Sequence, residues 1–372
     1  MRTGRGRPVS GVRVGSTARV SGAGPEADGE RRNVSDAAGV VVLGACATWA
    51  VITAAARDGR PEGMLLAVLA VAAGHAAGRI FGALLPVAAP CTGALAGLVL
   101  VVAVPDLAPG PQVLSPLGHA GATAAVLTLS AGAACCAAWA AAPAPRLALR
   151  LLAVGITIAA GALGSVAGVV ACAAVLLGSL AAGRMHHRGL GVAGLAVAAA
   201  LVAGATWAVA AAAFPRGLTA ALEGQLTSHR VGLWHDALHL ARQEPALGVG
   251  PGRFGTVGPL AAQTLPPDAK PHSAPLQLAA EEGVLGVALL VAAFGWMLYA
   301  LWRSRRPTPV VLTAGATLTA LAALASFGNA LSFTAVSVGA GLLTGLATAR
   351  PLHDEAPEGT PRARARDGRL TP

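Results

Sequence analysis

Residues 189–213 read Gly-Leu-Gly-Val-Ala-Gly-Leu-Ala-Val-Ala-Ala-Ala-Leu-Val-Ala-Gly-Ala-Thr-Trp-Ala-Val-Ala-Ala-Ala-Ala, without one charged side chain. As an α-helix, a run of this length extends for about 37 Å, which is enough to cross a hydrocarbon core about 30 Å thick. Comparable apolar runs recur along most of the chain, and no strand pattern is present to indicate a barrel. The sequence therefore predicts an all-α polytopic membrane protein, because helices satisfy their own backbone groups in lipid.

The composition excludes most other classes of protein. The chain has 372 residues, of which 55% are hydrophobic and 12% charged, too few charged groups for the surface of a water-soluble domain. Its net charge of +10 comes from arginines in tails and loops, with no nucleic-acid-binding motif around them, so we expect no nucleic-acid partner. The five cysteines lie in or beside apolar runs and are expected to be small buried side chains rather than a disulfide framework.

About ten transmembrane helices are predicted. We place them at residues 37–56, 63–84, 88–104, 119–142, 147–163, 166–183, 189–213, 274–301, 309–327 and 330–349. The chain then divides into a disordered cytoplasmic tail (1–36), helices 1–7 (37–213), an extracytoplasmic catalytic loop (214–273), helices 8–10 (274–349) and a second disordered cytoplasmic tail (350–372).

An even number of spans places both termini on one side of the cell membrane. Arginines are concentrated in the tails and in alternate short loops, which indicates the cytoplasm for that side and the outside for residues 214–273. The stretch 147–183 is either one long tilted helix or two short helices broken around Gly161, Gly164 and Gly168. One helix there would reverse the side on which the loop lies.

Residues 230–243 have the spacing of an amphipathic helix in this loop, with Val231, Trp234 and Leu238 on one face. We expect this helix to lie along the membrane interface with Trp234 as its anchor. A helix that only docks to lipid is the alternative. Pro245 makes continuation past Glu244 unfavourable.

His235 and His239 in this helix stand one residue from a zinc-protease pattern. The sequence His-Asp-x-x-His replaces the glutamate of His-Glu-x-x-His by the shorter Asp236. Without an evident third ligand, surface histidines are the favoured interpretation. A membrane zinc metalloprotease remains an alternative.

A glycine-rich stretch, Gly-Val-Gly-Pro-Gly-Arg-Phe-Gly at 248–255, follows. Missing side chains at Gly250 and Gly252 would let backbone N–H groups approach a phosphate, with Arg253 as a cationic partner. No strand precedes the stretch, so it is not a dinucleotide fingerprint. A plain turn and a substrate-facing turn both remain open.

The sequence Lys270-Pro271-His272-Ser273 stands at the outer end of the next predicted span. Ser273 is a suitable N-cap, and Pro275 fits the first turn. A neutral histidine, with an ordinary pKa near 6.5, suits general-base work on a hydroxyl group.

Three ordered motifs resemble the O-antigen ligase and O-antigen polymerase superfamily. They are Arg230-x-x-x-Trp234-x-x-Ala237-Leu238, then Glu244-Pro245-Ala-Leu-Gly248-Val-Gly250-Pro-Gly252-Arg-Phe254, then His272-Ser273-x-x-Leu276-Gln277-x-x-x-Glu281-x-Gly283-x-x-Gly286. The close resemblance covers residues 228–290, and the other helices agree only in hydropathy and placement.

The resemblance implies a GT-C-like membrane glycosyltransferase that needs neither metal nor cofactor. Its donor would be a glycan linked to polyprenyl (undecaprenyl-type) diphosphate, and its acceptor another glycan or a lipid-linked molecule. His272 would be the base and Arg230 a catalytic cation on the diphosphate, with Arg253, Lys270 and the glycines as substrate contacts. Membrane lipid is a further expected partner.

The chain departs from the family pattern after the histidine, where Ser273 replaces the usual Asn, and at an upstream span. Family members commonly carry Ser-Arg-Gly near the start of an upstream span, whereas the counterpart here is Ser165-Val166-Ala167. His75 and Arg79 lie four residues apart on the second span and are candidates for the missing cationic contact. Snorkelling of Arg79 to the inner headgroups is the alternative.

A transporter or flippase is the main rival from another functional class. Ten spans with an intramembrane histidine and arginine would suffice for it, although no internal repeat is evident. The concentration of chemically capable residues in the loop favours the enzyme.

Overall fold

The computed structural model describes residues 25–103, 116–211, 213, 228–260 and 270–350, with the backbone alone at 25–33, 116–120 and 228. The predicted loop residues 214–227 and 261–269 and the outer parts of both tails lie outside the described residues. Within the described parts every regular element is a helix. This confirms the all-α fold class.

The α-helices of the described residues, numbered in chain order, are ten apolar helices of the bundle and two further helices between the seventh and the eighth of these. They are α1 (Pro25–Arg57), α2 (Glu62–Leu84), α3 (Ala88–Ala103), α4 (Pro116–Ala140), α5 (Pro143–Ala162), α6 (Val166–Ala182), α7 (Arg188–Ala210), α8 (Ser228–Gln243), α9 (Phe254–Val257), α10 (Ala274–Arg303), α11 (Thr308–Phe327) and α12 (Thr334–Thr348).

Seven of the described helices are long and apolar enough to cross a membrane, and α3, α6 and α12 are shorter apolar helices. All ten overlap the segments predicted from hydropathy. The first differs at its start, because α1 begins at Pro25 and its candidate span at Val34. The polytopic membrane character is therefore confirmed.

Helix α4 forms the centre of the bundle. In its span, Gly121–Ala140, 89% of the 18 most apolar consecutive residues are buried, whereas in α7 only 11% are. Small side chains fill most of this helix, including the fully buried Ala124 and Ala131, so its neighbours pack closely around it. The outer helices instead expose Val, Leu and Ile side chains, as lipid-facing helices do.

Helices α5 and α6 are two helices joined by a tight turn. Gly164 has a positive φ of 71° between them, and the Ser165 hydroxyl caps α6 by accepting from the Gly168 N–H at 3.2 Å. Trp139 contacts the Arg150 guanidinium at the start of α5 and donates to Ser179 Oγ near the end of α6 at 2.9 Å. These two ends therefore lie side by side, and the pair is an antiparallel hairpin, which resolves the open alternative for 147–183.

Helices α2 and α12 approach each other through glycines. A Cβ at Gly74 or Gly78 would lie 2.3 or 2.2 Å from a backbone oxygen of α12, and one at Gly341 would lie 2.2 Å from the Val71 oxygen. Only hydrogen fits at these positions, so the two backbones touch. This contact holds His75 and Arg79 against the last turns of α12.

Candidate catalytic site

The glycine-rich turn docks into a break in α10. At Gly283 the backbone leaves the helix, with φ 72° and ψ −165°. The Val249 and Gly250 N–H groups each donate to a carbonyl of α10, those of Ala280 and Glu281, at 2.9 Å. In return, the Val284 N–H donates to the Pro245 carbonyl at 2.9 Å. The break thus exchanges intrahelical bonds for bonds to the second motif.

Two glycines are required by this docking. Gly248 has φ 64°, and a Cβ there would lie 2.5 Å from the Glu281 carbonyl oxygen. At Gly283 a Cβ would lie 2.6 Å from the Pro245 oxygen, in a backbone region that is essentially restricted to glycine. Gly248 of the second motif and Gly283 of the third are therefore explained by contact between the two motifs.

The anion that the turn binds in this structure is a carboxylate of the protein. Buried Glu281 accepts hydrogen bonds from the backbone N–H groups of Gly252 and Phe254. The Gln277 amide donates to it at 3.3 Å. Since the Gly250 N–H is also occupied, direct substrate contacts by Gly250 and Gly252 stay a prediction, whereas their internal contacts are observed.

Arg253 and the loop between α1 and α2 clamp the turn from its other side. The Arg253 guanidinium donates to the Arg57 carbonyl, and the Arg57 guanidinium pairs with the Glu244 carboxylate. The Arg60 N–H donates to the Pro251 carbonyl at 2.8 Å. The role of this loop was not predicted from the sequence, although Arg57 and Arg60 are conspicuous charges at the end of an apolar helix.

His272 lies directly before α10, between two buried residues. It has a positive φ of 48°, which is uncommon for a residue with a side chain, and its side chain is half-buried. Ser273 occupies the N-cap position as predicted, but its buried hydroxyl has no hydrogen-bond partner within the described parts of the chain. Pro275 lies in the first turn, as expected.

Trp234 fixes the segment that carries His272. Its indole N–H donates to the Pro271 carbonyl at 2.6 Å, and its side chain is fully buried. The expectation that Trp234 anchors α8 in the membrane interface is therefore wrong. The apolar face of α8 packs on protein, beside Phe254 and Leu276, because burial there also satisfies the indole N–H.

Arg230 is one helical turn before Trp234 and therefore on the same face of α8. Its guanidinium donates to the Phe327 carbonyl at the end of α11, at 3.1 Å. The Phe327 ring lies 6.4 Å from the Trp234 ring. Burial lowers the pKa of the Arg230 guanidinium, which nevertheless stays charged at physiological pH. Phe327 is a further residue of this site that sequence reasoning missed.

Three further positions singled out in the sequence are Lys270, Arg79 and Val166. Lys270 is exposed two positions before His272 and has an attractive interaction with Glu281. Arg79 is not brought to this site: it lies near the end of α2, whose beginning adjoins the glycine turn, so about 25 Å of helix separates them. Val166, at the position of the absent family arginine, is exposed at the start of α6.

His235 and His239 are exposed on α8, in agreement with the surface interpretation. Asp236 accepts a hydrogen bond from the Leu260 N–H at 2.7 Å, so it holds the loop that follows α9. The described residues contain no group of three or more His, Cys, Asp or Glu side chains placed to hold a metal ion.

Comparison with known families agrees with the motifs. The family described as O-antigen ligase matches residues 147–291, which run from α5 through the glycine turn and the break of α10. No curated protein matches the chain. The matched region contains all three motifs, and the match supports the resemblance of this chain to the O-antigen ligase and polymerase superfamily.

Proposed function

We propose that this protein transfers a glycan from a polyprenyl diphosphate to an acceptor hydroxyl at the outer face of the cell membrane. The family match supports O-antigen ligase-type function in general. The observation that carries the finer proposal is the hydrogen bond from Trp234 to Pro271. It joins the helix that carries Arg230 to the segment that carries His272, and this connection supports the proposal that the cation and the base act in one site.

In the proposed reaction, His272 takes the proton of the acceptor hydroxyl. The acceptor oxygen then attacks the anomeric carbon of the donor sugar, the bond to the diphosphate breaks, and the polyprenyl diphosphate leaves with the electron pair. In-line attack inverts the anomeric centre. The Arg230 guanidinium stabilises the charge that develops on the leaving group, a task suited to its paired donors.

Charge distribution supports the outward position of the loop. Arg146, Arg184, Arg303 and Arg350 stand at the bundle end opposite His272. At the other end, the described α1–α2 loop has no net charge, because Arg57 and Arg60 are offset by Asp58 and Glu62. An arginine-rich end is cytoplasmic by the positive-inside rule. A reporter fused after residue 260 should therefore be extracytoplasmic, and a cytoplasmic signal would contradict the proposed access to substrate.

Between the two acceptor types we favour another lipid-linked glycan, which makes the protein a surface-polysaccharide polymerase. The test is deletion of the gene and complementation with His272→Ala or Arg230→Ala, scored by surface glycan length and by accumulated lipid-linked units. We expect short or absent glycan and accumulated donor in both variants. His239→Ala, on the exposed face of α8, is the matched control. Normal glycan in both variants would refute the assignment.

A further inference from the structure

A second site lies at the end of the bundle opposite His272. A cavity of about 350 Å³ opens there between α1, α2, α7, α10 and α12. Five arginines and one carboxylate line it: Arg79, Arg188, Arg303, Arg305, Arg350 and Asp36. We call it the arginine pocket.

The lining is strongly cationic. With histidine counted as neutral, five arginines and one aspartate give a formal charge of +5 − 1 = +4. Asp36 is the sole acidic residue among the described residues that line the cavity, and it pairs with the Arg79 guanidinium. Charges gathered at the edge of a low-dielectric bundle are costly unless a counter-ion joins them.

Two of these guanidinium groups, those of Arg188 and Arg303, are held by backbone carbonyls and aromatic rings of the described residues. Arg188 donates to the backbone carbonyls of Ser304 and Arg306, the latter at 2.5 Å. Arg303 lies over the Tyr299 and Trp302 rings at 5.8 and 5.9 Å. Carbonyl oxygens and ring faces orient arginines but leave their full positive charge in place. The groups are thus preorganised around an open space.

We propose that the arginine pocket binds a phosphate-bearing anion. Guanidinium groups recognise phosphate oxygens through paired N–H donors, and the cavity is large enough for a phosphate or diphosphate group. Ala300 and Trp302 form an apolar part of the lining, which suits the hydrocarbon side of a lipid headgroup. Half-buried His75 also lines the pocket, and its buried Nδ1 atom has no hydrogen-bond partner among the described residues.

This site is independent of the proposed transfer reaction. Helix α10 begins beside His272 and ends at Arg303, so most of a membrane thickness separates the two sites. The ligand of the arginine pocket comes either from the lipid, as an acidic headgroup, or from solution, as a free phosphate compound. The shared chemistry is the phosphate group, and the experiment separates the two sources.

The test uses the full chain in nanodiscs and measures the thermal unfolding midpoint. One set of discs contains phosphatidylcholine alone, a second adds cardiolipin, and a third is phosphatidylcholine with inorganic pyrophosphate in the buffer. We expect the midpoint to rise by several degrees with one of the two anions. A rise with cardiolipin alone identifies a lipid headgroup, and a rise with pyrophosphate identifies a soluble anion.

Arg303→Gln/Arg350→Gln is the test variant, because both side chains are exposed and their removal spares the core. We expect it to lose at least half of the rise. Arg184→Gln removes the same kind of charge at the same end, outside the pocket, and should keep the full rise. Arg303→Lys/Arg350→Lys should recover part of it, which separates charge from misfolding.

Three results would overturn the proposal. The first is no rise with either anion in the parent protein, and the second is an equal rise in the parent and the glutamine variant. The third is a rise that appears only after Asp354→Asn/Glu355→Gln/Glu358→Gln. That outcome would mean that carboxylates of the chain itself occupy the pocket.

Discussion

The indole N–H of Trp234 donates a hydrogen bond of 2.6 Å to the carbonyl of Pro271, the residue before His272. This bond connects two motifs that are far apart in sequence and fixes the backbone of the candidate base. His272 itself has a positive φ of 48°, a conformation that persists only where the surroundings impose it. Trp234 is therefore a positioning residue for His272.

Trp234→Phe tests this role. The variant leaves the Pro271 carbonyl without its donor, at a cost of about 1–3 kcal/mol, and lets the His272 segment shift. We expect glycan transfer to fall by about 10-fold or more, because small displacements of a catalytic group are costly. Trp207→Phe on α7, where the side chain is 38% exposed, is the control. If Trp234→Phe transfers glycan as fast as the parent protein, the hydrogen bond is dispensable.

Gly283→Ala should destabilise the protein. The new Cβ would lie 2.6 Å from the Pro245 oxygen and 2.7 Å from the Ala246 oxygen, at a φ of 72°. Strain of this kind costs on the order of 1–3 kcal/mol, and we expect a lower unfolding midpoint in detergent. Gly295→Ala on the same helix has nothing within 4 Å of its Cβ and should be neutral. Equal midpoints for the two variants would contradict the docked turn.

Glu281→Ala should open the glycine-rich turn. It removes the carboxylate that accepts the N–H groups of Gly252 and Phe254, and each unsatisfied buried donor costs about 1–3 kcal/mol. Hydrogen exchange at residues 248–254 should accelerate, with Glu281→Gln intermediate because an amide oxygen still accepts. Glu62→Gln, at the exposed start of α2, should leave this exchange unchanged. Unchanged protection in Glu281→Ala would mean that the carboxylate does not hold the turn.

The Arg57–Glu244 ion pair is expected to contribute little to stability. Its side chains are 32% and 45% exposed, and solvent screens such pairs to about 0–1 kcal/mol. A double-mutant cycle with Arg57→Gln and Glu244→Gln, read from the unfolding free energy, should give a coupling below about 1 kcal/mol. A much larger coupling would indicate that the pair is shielded from water in the membrane.

Close packing of α2 on α12 gives a further prediction. Gly78→Leu places a side chain where a Cβ alone would lie 2.2 Å from the Leu342 oxygen. We expect the two helices to separate, with a large loss of folded protein in detergent. Gly44→Leu on α1, which meets nothing within 4 Å, is the matched control. Normal yields of Gly78→Leu would contradict the contact.

The helices were predictable because hydropathy is summed over about 20 neighbouring residues, a purely local property. The glycine-rich turn was also visible, but its partner was not. A side chain at position 248 would collide with the carbonyl of Glu281, and nothing in the local sequence pattern indicates that contact. Trp234 was misplaced for the same reason, since its polar partner belongs to Pro271.

Charged residues show the same limit. Arg57 and Glu244 are separated by 187 positions, and Arg79 and Asp36 by 43. Spacing placed His75 and Arg79 on one helix face, and the structure adds Asp36 and four other arginines around one cavity. Family motifs located His272 and Arg230, whereas Phe327, which contacts both Arg230 and Trp234, follows only from the fold.

The central claim is that His272 is the base of a glycan transfer reaction. The most direct test measures the transfer rate of purified protein in liposomes, supplied with the lipid-linked glycan that accumulates in the deletion strain. For His272→Ala we expect a loss of about 100- to 10,000-fold, the range for removal of a general base, with donor binding retained and His239→Ala unaffected. A His272→Ala rate close to that of the parent protein would contradict the claim.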